Sequence, residues 1–175
     1  MRKILIVIDM QNDFISGALG TSEAQAIVPN VAEKIKEYVK NGGKIIFTRD
    51  THRKNYLETN EGKHLPVEHC IRETDGWQIC DELIKLYDYP YIVDKESFGF
   101  DCWDIYLDYD EMMDAEIELV GVCTDICVVS NALILKALFP ETKISVDANC
   151  CAGVTPEKHE AALAVMESCQ IEIRR

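Results

Sequence analysis

Basic residues are scarce in this sequence. Lysine and arginine number 18 against 31 aspartates and glutamates, a net charge of −13, and the cations do not cluster. Such a chain repels phosphate, which excludes nucleic acid as a partner; the acidic excess serves solubility. Long hydrophobic runs are also missing. The first apolar run, residues 4–8, is cut off by Asp9. It is too short for the core of a signal peptide, and no stretch approaches a membrane span. We therefore expect a cytoplasmic protein without membrane contact. No two of the eight cysteines form a C-x-x-C pair, which removes thioredoxin-type and zinc-ribbon readings. Without a secretory signal they are expected as free thiols, most of them small buried hydrophobes. Repeats, low-complexity tracts and linkers are absent too, so the 175 residues read as one domain, 1–175.

What is present is a series of short runs rich in Ile and Val: residues 3–9 (KILIVID), 44–50, 91–95, 116–122, 143–148 and, more briefly, 171–173. They read as buried parallel strands. Helical patterns lie between them. Val28, Val31, Ile35, Tyr38 and Val39 form one apolar stripe, with Pro29 in its first turn and Gly42-Gly43 as its stop. A shorter helix is expected over 81–86. Another is expected over 125–139, with Val128, Val129, Ala132 and Leu133 recurring helically. Thr155-Pro156-Glu157 opens a last one that buries Ala162, Val165, Met166 and Cys169. The alternation predicts an α/β fold: a three-layer α/β/α arrangement around a central, mostly parallel six-stranded sheet with right-handed crossovers. Residues 51–76 form a long polar stretch without a period, and such loops are usually functional.

In open α/β sheets, sites form at the carboxyl ends of the strands. Asp9, Asp50, Lys95 and Cys123 each stand at or just past such an end. GVCTDICVV, residues 121–129, carries a strand into a helix, with Thr124 or Asp125 as natural N-cap. Cys127 then falls in the first helical turn, where the helix dipole lowers a thiol pKa. A lysine beside it lowers it further, and a carboxylate can accept its proton. Lys95 and Asp9 supply both groups from strands taken to be neighbours. Asp13 is the lesser candidate, because Asp9 directly ends the strand. TRDTH puts Asp50 and His52 two apart after another strand, a weak metal signal by itself.

Taken together, Asp9 in IVIDMQNDF, Lys95 in DKESF and Cys127 in GVCTDICV resemble the three motif segments of the isochorismatase-like cysteine hydrolases, nicotinamidases in particular. The match runs in order from residue 3 to about 153. The resemblance implies that the Asp is a general base, the Lys supports a thiolate and the Cys attacks an amide carbonyl, most readily that of nicotinamide. It also implies a cis peptide at Val122–Cys123 and an oxyanion hole built from the backbone N–H groups of Cys123 and Cys127. Nicotinamidases pair Asp-x-His with a later histidine segment. Here that segment is Pro66 to Cys70, so Asp50, His52 and His69 become the implied ligands of a divalent metal, zinc first and iron or manganese next. Glu61 is a possible fourth ligand. His64 and His159 are expected at the surface. The resemblance places Phe14 against the substrate ring, but Leu65 stands where an aromatic residue is usual. Trp77 or Trp103 could substitute, or simply pack. A homo-oligomer is implied as well.

Three other readings compete. The same scaffold could cleave a carbamoyl or ureido compound, but those relatives generally lack the histidine pair. A phosphoacceptor receiver module uses strand-end acids and a lysine, yet has no use for Cys127, His52 or His69. A vinyl-ether hydrolase would not need the cysteine.

Overall fold

The structure, a computed structural model, describes residues 2–175. Six strands, β1 (Arg2–Ile8), β2 (Lys44–Asp50), β3 (Tyr91–Lys95), β4 (Ala115–Val122), β5 (Lys143–Ala152) and β6 (Glu172–Arg174), form one sheet in the order β3-β2-β1-β4-β5-β6. All five pairings are parallel. The helices are α1 (Asn12–Ile15), α2 (Ser22–Lys40), α3 (Asn60–His64), α4 (Asp81–Ile84), α5 (Trp103–Tyr106), α6 (Tyr109–Met112), α7 (Val129–Leu138) and α8 (Pro156–Ser168).

β1 shows why the sheet is covered on both sides. Its successive side chains point to opposite faces. Ile4, Ile6 and Ile8 pack with Trp103, Val128, Ala132, Leu135 and Met166, whereas Leu5 and Val7 pack with Ile27, Val31, Ile35 and Leu83. Two cores therefore sandwich the sheet, one under α5–α8 and the other under α2 and α4. The chain steps outward from β1 through β2 to β3, then returns to place β4 on the other side of β1. The carboxyl ends of β1 and β4 thus flank the topological switch point, where such sheets bind ligands.

Several expectations need correction. The long helix starts at Ser22, not near Pro29, because the Thr21 side chain accepts the Ala24 N–H and caps it. Pro29 lies inside the helix, tolerated because buried Ala24 and Ile27 before it and Val31 and Ile35 after it dock on the sheet. Val39 is exposed. In α8 the buried residues are Ala162, Leu163 and Met166, so Val165 and Cys169 face solvent. α4 stops at Ile84, short of Leu86. β5 continues to Ala152, past a register shift opposite Leu119–Gly121. β3 and β1 are not neighbours; β2 lies between them. No helix among the described residues is long and apolar enough to cross a membrane.

Candidate active site

The chain turns sharply where β1 ends. Asp9 takes a left-handed backbone conformation, φ 49°, which Asp tolerates better than most residues. Its backbone N–H donates to Thr48 Oγ1 at 3.1 Å, and the Thr48 hydroxyl donates to Asp9 Oδ1 at 2.6 Å. Alongside, Gly121 has φ 122°, and a Cβ there would stand 2.1 Å from the Ile8 carbonyl oxygen. Only glycine lets β4 approach the end of β1 this closely.

Beyond β4 the Val122–Cys123 peptide is cis, and residues Thr124–Val128 form a wide π-type turn in which the Val128 N–H reaches the Cys123 carbonyl. Such turns often occur at functional sites. Neither Thr124 nor Asp125 caps it, contrary to the sequence reading. Thr124 Oγ1 instead shares a 2.8 Å hydrogen bond with His159 Nδ1, and Asp125 Oδ1 accepts the Val154 N–H. His159 is accordingly half-buried rather than on the surface.

Lys95, on β3, is 2% exposed. Its Nζ lies 2.6 Å from Asp9 Oδ2 and 3.4 Å from Asp50 Oδ1, and donates to the Ser97 carbonyl at 3.1 Å and to Cys127 Sγ at 3.6 Å. The Asp9 carboxylate also acts on the Cys127 thiol through its charge. The structure thus brings Asp9, Lys95 and Cys127 together from three strand ends. Burial raises the Asp9 pKa above the ordinary carboxylate value even though Lys95 pulls it down. Burial opposes the Lys95 charge, but the Asp9 and Asp50 carboxylates beside it hold it protonated. The Cys127 thiol is pushed up by burial, against the pull of Lys95. That reverses the expected depression: desolvation, with the Asp9 and Asp50 charges, outweighs the pull of the lysine. Burial also pushes the neighbouring Cys123 thiol up, to about 12.

The second cluster adjoins the first through Asp50, whose Oδ1 faces Lys95 and whose Oδ2 faces two imidazoles. His52 Nε2 is 3.0 Å and His69 Nε2 3.6 Å from Asp50 Oδ2; Glu61 Oε1 is 3.6 Å from the former and 3.8 Å from the latter. Burial opposes the Asp50 charge, but the adjoining His52 and His69 imidazoles, with Lys95, hold its pKa well below the usual range. The four donor atoms lie within 4.8 Å of one another. His69 Nδ1 bonds the Val67 carbonyl at 2.8 Å, which assigns that nitrogen the proton and leaves Nε2 free to ligate. Two imidazoles and two carboxylates fit a divalent transition metal. Tyr56 packs on both rings, with centroids 4.7 and 5.0 Å away. His64 lies outside the cluster, exposed.

A cavity of about 360 Å³ joins the clusters. Cys123 and Cys127 line it together with Asp50, Glu61 and His69, and Phe14, Leu65, Phe98, Ile126 and Val154 add its apolar lining. Phe14 sits 5.6 Å from the His69 ring. Neither tryptophan contributes. Trp103 is buried in the core, and Trp77 donates to Thr51 Oγ1 while Arg49 stacks 3.5 Å over it.

Sequence reasoning missed the supports. Gln11 is fully buried; its amide accepts the Asp50 N–H and donates to the Asp50 and Trp77 carbonyls. Its place two residues after Asp9 was the available signal. Thr48, two before Asp50, gave one of the same kind. Phe98, three after Lys95, was in plain view within DKESF.

A family model described as the isochorismatase domain matches residues 3–174, and the chain belongs to the isochorismatase family. It is 26% identical to a nicotinamidase of Saccharomyces cerevisiae over 187 residues, covering 83% of this chain and 86% of that one. An Arabidopsis thaliana protein described as a probable inactive nicotinamidase is 28% identical, covering 94% of this chain and 87% of its own. Membership alone therefore does not carry activity; the residues at the site must. Among solved structures, the nicotinamidase/pyrazinamidase PncA from Bacillus subtilis aligns with a TM-score of 0.87 at 28% identity over 100% of both chains. The pyrazinamidase of Pyrococcus horikoshii in complex with zinc aligns with a TM-score of 0.84 at 29% identity, over 100% of this chain and 99% of that one.

Proposed function

We propose that the protein is a cysteine amidohydrolase that converts nicotinamide to nicotinate and ammonia, the whole chain acting as one cytoplasmic domain in NAD salvage. One observation carries the reading: a carboxylate and an ammonium converge with a thiol, and that thiol lines the same cavity as Asp50, Glu61 and His69 of the cluster of two imidazoles and two carboxylates.

Asp9 takes the Cys127 proton as the sulfur attacks the carboxamide carbon. Lys95 offsets the charge passing between sulfur and carboxylate. The Cys123 and Cys127 N–H groups face the oxyanion as it forms. The C–N bond then breaks, and ammonia leaves with the proton held by Asp9. A water gives a proton to Asp9 and its oxygen to the thioester carbon; nicotinate departs and the thiol is restored. Asp50, His52 and His69, with Glu61, would hold a divalent metal, zinc by preference. Bound there, it supplies an electrophile for a ring nitrogen. Phe14 and Leu65 flank the ring and hold the carboxamide toward Cys127.

A second reading, cleavage of another small amide such as a carbamoyl or ureido compound, is favoured by Leu65, which offers a ring no aromatic face. Ammonia release from nicotinamide, pyrazinamide and ureido compounds by the protein and its Cys127→Ala variant separates the two. We expect nicotinamide to lead and the variant to lose about a thousandfold or more. Undiminished turnover by a purified, folded Cys127→Ala would rule out the covalent route.

A further inference from the structure

Asn131 is fully buried one helical turn after Cys127, among Trp103, Ala132 and Leu135. An amide in such surroundings is costly unless each of its bonds is made. Here all four are. Nδ2 donates to the Cys127 carbonyl at 2.8 Å and to the Phe98 carbonyl at 3.1 Å; Oδ1 accepts the Phe100 N–H at 3.0 Å and Trp103 Nε1–H at 3.1 Å. An asparagine has no further capacity. One side chain therefore ties the nucleophile's turn to the loop after β3. That loop provides the Phe98 wall of the cavity and the Ser97 carbonyl that holds Lys95 Nζ. The loop also presses directly on α7: a Cβ at Gly99 would stand 2.4 Å from Ile134 Cδ1.

We propose that Asn131 is a positioning residue that clamps the Cys127 turn to the Phe98 loop, fixing the sulfur relative to the wall of the substrate cavity. A filler at this place would be a leucine; an amide with two donors aimed at two different segments holds them in register. The kinetic consequences rest on the amidohydrolase reading, whereas the clamp itself can be read from Cys127 directly.

Two variants cut different arms of the clamp. Asn131→Thr keeps a hydroxyl able to reach back to the carbonyl four residues earlier, that of Cys127, but loses the loop. Asn131→Asp keeps the acceptor for Phe100 and Trp103 but turns an oxygen toward the Cys127 and Phe98 carbonyls. With nicotinamide as substrate, Asn131→Thr should raise KM about tenfold at a kcat within about twofold of the parent. Asn131→Asp should lower kcat about tenfold and change the iodoacetamide alkylation rate of Cys127, followed by peptide mass, by a like factor. A merely structural residue would lower Tm in both while leaving the KM/kcat split and the alkylation rate of the folded protein untouched, and that result overturns the proposal. If the parent turns over no amide, the functional reading fails by itself. The clamp is then decided by alkylation alone, and equal rates in parent and Asn131→Asp defeat it.

Discussion

Lys95 reaches across an intervening strand to Asp9, placing its ammonium 2.6 Å from the carboxylate with both side chains at 1% exposure or less. The same nitrogen touches Asp50 and Cys127. One buried cation thus serves two carboxylates and a thiol that would otherwise meet with no charge balance. The geometry is purposeful in energetic terms, because a buried pair of this kind adds little net stability over hydrocarbon but is costly to break.

Lys95→Met should therefore destabilise the fold by about 3–5 kcal/mol at neutral pH, leaving Asp9 buried without its partner. The midpoint of urea unfolding checks this against the parent. The methionine nearly fills the lysine's volume, so a loss of that size would come from charge rather than from a cavity. A variant as stable as the parent would mean that Asp9 and Lys95 do not form a buried charged pair.

The pH dependence of activity follows from the sign of the Asp9 shift. A base works in its ionised form, and burial raises this carboxylate above its ordinary 3.8. Activity should fall on acidification at a higher pH than an unperturbed Asp would dictate, and kcat/KM against pH reports it as the acid limb. The Thr48 hydroxyl lowers the Asp9 pKa, so Thr48→Val should move that limb further up. A limb at or below the ordinary carboxylate value would show that another group is titrating. Because sulfur, amine and carboxylate interact, the limb belongs to the set and not to Asp9 by itself.

The strand ends were legible because they are local. Asp9 directly ends a run of Ile and Val, Asp50 and Lys95 close short strands rich in Ile and Val, and a polar residue at such a point lies at the carboxyl edge whatever else the chain does. The supports were not legible, because their meaning lies in partners far away. Thr48 and Gln11 each act across 39 residues, and Asn131 acts across about 30. The long helix illustrates another limit. Pro29 looks like a beginning, yet the Thr21 cap and the apolar contacts on both sides of the proline outweigh its missing N–H. The direction of the Cys127 shift was misread for a related reason. Helix position and a nearby lysine are visible in sequence, whereas the depth of burial that opposes them is a property of the whole fold.

The histidine cluster makes a claim that needs no enzyme assay. Protein stripped with a chelator and titrated with zinc should bind one equivalent by calorimetry and elemental analysis. A His52→Ala/His69→Ala double variant should bind none. Glu61→Gln should weaken binding by about tenfold if Glu61 is a ligand, since a neutral amide is a poorer donor than a carboxylate. Stoichiometric zinc in the double variant would move the metal away from Asp50 and Glu61 altogether.

Leu65 is where specificity can be changed by one residue. It lines the cavity, the residue is 39% exposed, and its hydrogen bonds are made by the backbone: the N–H donates to the Glu61 carbonyl, and the carbonyl accepts the Val67 N–H and the Tyr56 hydroxyl. An aromatic residue at this position would offer a flat face to a bound pyridine at the cost of no existing side-chain hydrogen bond. Stacked aromatic pairs add about 0.5–1.5 kcal/mol beyond the area they bury, so Leu65→Trp should lower KM for nicotinamide by roughly two- to tenfold with kcat little changed. The gain should vanish for a non-aromatic amide of similar size, because such a substrate has no ring to stack. Equal improvement for both substrates would mean that the tryptophan acts by closing the cavity. A rise in KM for nicotinamide alone would mean that the leucine is already matched to a substrate of another shape, and the carbamoyl or ureido reading would then take precedence.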